Sequence, residues 1–201
     1  MVTQSEKKKK RDYDILTTLA LLDMATRSQL QTIHNLGTNR NATRVLKNLQ
    51  TYIQHFRENE NIYYLNKAGR ELVGCEKVIA KTPQFHHTLM RNDIYIHYGC
   101  PKLWQNEYKI PNPEFTIIPD AIFSVKGVQY FLEVDHLQKM KKNLEKLNRY
   151  KQFKDMGLWQ KKNMGRFPVV VFYTEKESRK VQIMQSNPGI ELLVYTKEDL
   201  L

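Results

Sequence analysis

The chain has little cysteine, no long apolar run and a shortage of acidic side chains, and each absence narrows the possibilities. Of its 201 residues only Cys75 and Cys100 are cysteines, and they lack the CxxC spacing of a zinc or redox motif. That usage suits a reduced, cytoplasmic protein rather than a disulfide-stapled one. No segment approaches the ~18–20 continuous apolar residues of a membrane-spanning helix. The basic run Lys7 to Arg11 is not followed by an apolar stretch, so it does not read as a secretory signal. Histidines are also poorly placed for metal. His86 and His87 are adjacent, so on a helix they point in different directions, and His136 is distant in sequence.

The acid deficit is the first positive clue. With 32 Lys and Arg against 21 Asp and Glu, the formal net charge is +11. A polyanionic partner is favoured by such an excess, through counterion release and electrostatic steering. The basic residues are spread along both halves. At this length the chain holds one large domain or two small ones.

Residues 1–10 read as a basic flexible arm, and residues 11–75 as a winged helix-turn-helix. Ile15, Leu16, Leu19 and Leu22 recur at helical steps. Thr26 to Ser28 offers an N-cap before a short helix with Leu30 and Ile33, which Asn35 to Thr38 ends. A third helix follows, with Ala42, Val45, Leu46 and Leu49 inward and Arg40, Asn41, Thr43, Arg44 and Lys47 outside. Tyr52 to Arg57 and Ile62 to Leu65 then read as two strands, and Asn66 to Gly69 as the start of a further helix. In a winged helix the third helix presents short polar and guanidinium side chains to base edges and phosphates, which these residues suit. They equally suit the solvent face of an ordinary helix. The hairpin tip, Glu58 to Asn61, is acidic and ill suited to phosphate.

Residues 76–85 read as a linker and 86–201 as a mixed-sheet α/β domain. Its expected order is a helix from His86, a strand Leu103 to Ile110 carrying Glu107, a hairpin with strands Pro119 to Val125 and Val128 to Val134, and a long basic helix. On that helix Leu137, Met140, Leu144 and Leu147 point inward, while Lys139, Lys141, Lys142, Lys146 and Arg149 are mostly outward. Two further strands, Phe167 to Tyr173 and Ile190 to Tyr195, flank a polar helix. Period-two alternation puts Glu133 and Asp135 on one face, and the hairpin brings Asp120 towards them. Three carboxylates together repel unless a divalent cation or basic side chains neutralise them. Magnesium or manganese suits such a site and would activate water for phosphodiester hydrolysis. Pairing of the same acids with neighbouring lysines is the alternative.

The spacing of Glu107, Pro119-Asp120 and Glu133-Val134-Asp135 resembles the PD-(D/E)xK nuclease superfamily. More specifically, the chain from about Arg11 to Tyr173 resembles the replication-relaxation family of plasmids and integrative elements. Arg11 to Leu16, Ser28 to His34, Ile62 to Gly69, His87 to Leu89 with Asn92-Asp93, Pro119 to Ala121, Tyr130 to Asp135 and Lys146 to Tyr150 carry this resemblance. It implies a winged helix leading a restriction-endonuclease-like domain, acting in replication, DNA relaxation or mobilisation. Its partners would be double-stranded DNA and replication or relaxase machinery, with a homodimer as one possible assembly. The superfamily motif has a lysine where this chain has Asp135; Lys126, Lys139 or another nearby lysine would have to replace it. The primary expectation is therefore a non-catalytic DNA-binding accessory using Arg40, Asn41, Thr43, Arg44, Lys47, Lys139 and Lys142. The competing one is a metal-dependent endonuclease using Asp120, Glu133, Asp135 and Glu107, and a third is a transcriptional regulator or protein-binding adaptor.

Overall fold

The computed structural model describes residues 3–112, 114–186 and 189–200. The chain divides into two compact units, Met1–Ile96 and His97–Leu201. Secondary structure is mixed, as expected, with a three-stranded sheet in the first unit and a five-stranded sheet in the second.

In the first unit, α1 spans Gln4–Leu22. The expected flexible arm is therefore helical from its fourth residue. Thr3 caps this end: its side chain accepts from the Glu6 amide, while the Glu6 carboxylate accepts from the Thr3 amide at 2.7 Å. Such a capping box satisfies free amides that a charged run cannot satisfy by itself. Ile15, Leu16, Leu19 and Leu22 form the buried stripe.

After the short strand β1 (Ala25–Thr26) come α2 (Arg27–Ile33), α3 (Asn39–Asn48), β2 (Ile53–Arg57), β3 (Asn61–Leu65) and α4 (Lys67–Val73). Thr26 and Thr38 cap α2 and α3, each accepting from a backbone amide three residues on. The strands pair antiparallel in the order β1-β3-β2, and Ile53 opposite Leu65 and Arg57 opposite Asn61 fix the hairpin register. Leu19, Leu30, Leu46, Ile53 and Leu65 belong to the core that these elements share. Helix α4 crosses close to the chain before β2. A Cβ added at Gly69 would lie 2.1 Å from the Tyr52 carbonyl oxygen, so only glycine allows this approach.

Helix α5 (Phe85–His97) belongs with the first unit as far as Ile96, so the boundary lies at His97 rather than at the expected His86. Polar anchors explain the shift. Buried Arg91 donates to the Asp23 carboxylate at 2.8 Å and to the Leu22 carbonyl at 3.1 Å. Asn92 donates to the Met24 carbonyl at 2.6 Å, and Gln29 donates to Asp93 at 2.7 Å. Apolar periodicity does not reveal such long-range bonds.

The second unit has strand order β4-β5-β6-β7-β8. Strands β4 (Leu103–Asn106), β5 (Ala121–Val125) and β6 (Val128–Asp135) pair antiparallel with one another, whereas β7 (Val169–Thr174) pairs in parallel with β6 and with β8 (Leu192–Tyr195). Parallel pairing requires crossovers, supplied by α6 (Met140–Met156) with α7 (Leu158–Lys162), and by α8 (Glu177–Gln185). Phe131, Val170, Phe172 and Val194 of the sheet pack with Leu147, Tyr150 and Phe153 of α6 and Ile183 of α8. The expected strand through Ile110 stops at Asn106. Glu107 turns the chain with φ +51°, and its amide donates to the Asp120 carbonyl at 3.2 Å.

Candidate functional site

Helix α3 carries the first group of candidate residues. Arg40, Thr43, Arg44 and Lys47 are exposed, while Ala42, Val45 and Leu46 are buried. Arg40, Arg44 and Lys47 follow the i, i+4, i+7 spacing of one helical face. Asn41 is partly committed to structure: it donates to the Leu36 carbonyl at 2.7 Å and accepts from Arg44 at 2.7 Å. Thr43 also bonds locally, donating to the Asn39 carbonyl at 2.9 Å.

The hairpin tip is tied to these helices. Glu60 accepts from the Ser28 amide at 2.9 Å and the Ser28 hydroxyl at 2.5 Å, and it pairs with Arg27 at 3.4 Å. Arg27 in turn donates to Asn39, the first residue of α3, at 2.9 Å. Glu58 pairs with Lys81 at 2.7 Å. The tip acids identified in the sequence are thus neutralised by cations.

The carboxylates of the second unit lie around β6. Asp120 immediately precedes β5, its amide donates to the Leu132 carbonyl at 2.9 Å, and its Oδ2 accepts from the Val134 amide at 2.7 Å. Glu133 is buried and bound by two side chains of α6. Tyr150 donates to Oε1 at 2.6 Å, and Lys146 bonds and pairs with Oε2. Burial, and then the nearby charge of Asp120, push the Glu133 carboxyl up to about 7 against the pull of Lys146 and Tyr150. Burial would lower the Lys146 ammonium, but the charges of Glu133 and Asp120 outweigh it and raise its pKa. Around this pair opens a cleft of about 320 Å³, lined by Thr116, Ile117, Ile118, Glu133, Lys146, Arg149 and Tyr150.

Asp135 shares the strand face but not the cleft's chemistry. Its oxygens accept from Arg179 at 2.6 and 2.7 Å and from Thr174 at 2.9 Å. Burial acts to raise its pKa, and the hydrogen bonds from Arg179 and Thr174 more than offset this, holding the carboxyl below its usual range. A carboxylate held in this way by a guanidinium is a structural ion pair. Glu107 stands near Asp120 through its backbone, but its side chain is exposed.

Among the described residues, no group of three or more His, Cys, Asp or Glu side chains is disposed to hold a metal ion. The arrangement departs from the expected three-carboxylate cluster: Asp120 and Glu133 come together, and Asp135 is drawn to Arg179. Two carboxylates still form a donor set that magnesium accepts when phosphate and water complete its shell.

Lys146 was expected to face solvent; it turns inward to Glu133. Its signal in the sequence was Tyr150 one helical turn later, beside buried Leu147. Arg179 had no comparable signal, since its partner lies 44 residues away. Lys126 occupies the β5–β6 turn, at the opposite end of β6 from Glu133. Lys139 and Lys142 are exposed at the start of α6.

Among the described residues no helix is long and apolar enough to cross a membrane. No curated protein matches the chain. A solved structure, protein VC1899 from Vibrio cholerae, is similar at 11% identity and a TM-score of 0.37. The match covers 96% of this chain and 53% of that one, so the chain spans about half the length of that structure. The sequence profile described as replication-relaxation matches residues 16–170, which include α3, Asp120, Glu133, Asp135 and Lys146. The chain belongs to the replication-relaxation family.

Proposed function

We propose that this protein is a DNA-binding accessory of a plasmid or other mobile element, acting in replication, relaxation or mobilisation of DNA. On this reading the first unit is a winged helix-turn-helix, α3 is its recognition helix, and β2 and β3 form its wing. The observation that carries the reading is the exposed face of Arg40, Arg44 and Lys47 on a helix capped by Thr38 and joined to Arg27. Three cations at that spacing suit successive phosphates and base edges of a duplex. The formal charge of +11 supplies the long-range attraction. Lys139 and Lys142 add exposed cations on the second unit, which on this reading would position replication or relaxase machinery.

The test is duplex binding as a function of salt, using DNA from the chain's own locus and a scrambled control. Binding should weaken steeply with salt, prefer the native sequence, and survive Asp120→Ala. Arg44→Ala should lower the preference. Unchanged affinity in Arg44→Ala would remove α3 from the account.

One observation favours a second reading, a metal-dependent endonuclease. Lys146 reaches Glu133 from α6 and so offers the cation that the strand motif lacks at Asp135. Asp120 and Glu133 would hold magnesium or manganese, which when bound supplies an activated water and charge neutralisation at phosphate. Lys146 and Arg149 would orient the phosphate in the cleft. Metal-dependent nicking of supercoiled plasmid, lost in both Asp120→Ala and Lys146→Met, would establish it. A plasmid that is retarded but intact with both metals would leave the binding role alone.

A further inference from the structure

The first two turns of α1 extend beyond its buried stripe, which begins at Ile15, and form one wall of an open cleft of about 670 Å³. Gln4, Ser5, Lys7, Lys8 and Arg11 line it from α1, and Arg44, Val45 and Asn48 line it from α3. No acidic residue is in this lining. The neighbouring acids are already engaged: Glu6 with Thr3, Asp12 with Arg11 and Asp14 with Lys10. Lys7 and Lys8 are exposed and have no carboxylate partner among the described residues. Two mobile ammonium groups are thus held about 10 Å along a helix from the core, beside the guanidinium of α3.

Helical order changes what this lysine run does. A disordered tail loses conformational entropy when it settles on DNA, whereas side chains on a preformed helix lose only rotamer freedom. We propose that the α1–α3 cleft is a phosphate clamp, gripping the sugar-phosphate backbone next to the groove that α3 enters. Its occupant is duplex DNA, chosen by charge complementarity and by the clamp's sharing of Arg44 with the α3 face. Lys7 and Lys8 contribute affinity that is independent of sequence, while Arg40 and Lys47 remain on the outer face of α3. This inference rests on the DNA-binding reading of α3.

The test compares full-length Lys7→Gln/Lys8→Gln with Lys161→Gln/Lys162→Gln, which removes the same charge from exposed positions of the second unit. Glutamine has nearly the helix propensity of lysine, so α1 should persist. Fluorescence anisotropy on native-locus and scrambled duplexes would be followed over a salt series. The clamp variant should lose about tenfold in affinity on both duplexes, and its slope of log K against log salt should shrink by roughly two, one unit per lost phosphate contact. Its preference for the native sequence should be unchanged, and the control variant should shift by much less. Equal effects in the two variants would show that only net charge matters and would overturn the clamp. So would a wild-type salt slope in the Lys7→Gln/Lys8→Gln variant. Absence of duplex binding by the wild-type protein would instead overturn the DNA-binding reading itself, and the clamp with it.

Discussion

Two regions of the molecule, the α3 face of the first unit and the β6 strand of the second, place their charges in opposite ways. In the first, Arg40, Arg44 and Lys47 stand exposed on α3, and the acids around them are turned towards Thr3, Ser28 or lysines. In the second, Glu133 and Asp135 are buried, each met by a cation from a helix packed on the sheet. An exposed cation contributes little to folding and remains available to a ligand. A buried ion pair has the reverse character, because breaking it leaves a charge without solvent. Substitutions of the charged residues in these two regions should therefore separate binding from stability.

The largest effect is expected for Arg179→Ala. It leaves buried Asp135 without its guanidinium, and thermal or urea unfolding should show a loss of about 3–5 kcal/mol. A loss below 1 kcal/mol would mean that the Thr174 hydroxyl suffices. Gly69→Ala should come next, at about 1–3 kcal/mol or more, because the added methyl meets the Tyr52 carbonyl rather than a yielding side chain. That result would show that the α4 approach to Tyr52 is limited by packing, in contrast to the charge that limits Asp135.

Arg44→Ala is expected to leave unfolding within about 0.5 kcal/mol of wild type. Its cost should appear in duplex affinity, at about 1–3 kcal/mol with relaxed sequence preference. A matching loss of stability would blur the contrast between the units.

A pH dependence of stability is also expected. Glu133 has a folded-state pKa of about 7, above the ordinary carboxylate value. Between those two values the folded state binds more protons, so this group's contribution to stability falls as pH rises and levels off above about 7. Asp135 acts oppositely: its lowered pKa gives stability that is present above the ordinary carboxylate value and lost in acid. Urea titrations of wild type and Glu133→Gln at several pH values would show whether the decline from pH 5 to 7.5 disappears in the variant. A decline that persists would assign it to another group.

What could be read from the sequence follows the range of the interactions involved. The α3 stripe of Ala42, Val45 and Leu46 is local periodicity, and it appears where expected. The shared face of Glu133 and Asp135 follows from the pleat of a single strand, and the position of Asp120 beside them from a short hairpin. The errors concern longer range or competing local chemistry. Lys146 looked like one more solvent-facing lysine of α6, because its burial depends on a carboxylate in another element. Arg179 pairs across 44 residues, and α5 is claimed by Asp23 and Met24 through side-chain bonds of similar span. The helical start of α1 was hidden by its composition: five basic residues suggested a solvated tail, while the decisive pair was Thr3 and Glu6.

The tie from Glu60 through Ser28 and Arg27 to Asn39 has a mechanical consequence. It joins the tip of the β2–β3 hairpin, the start of α2 and the start of α3 by side-chain bonds. The hairpin tip can move away from α2 and α3 only by breaking these bonds. For a duplex laid along α3 as proposed, they would set the spacing between hairpin and helix. A mismatch in groove width would then be met by breaking these bonds or by deforming the DNA, and in the second case flexible base steps beside the α3 contact would bind better than stiff ones even where no side chain touches them.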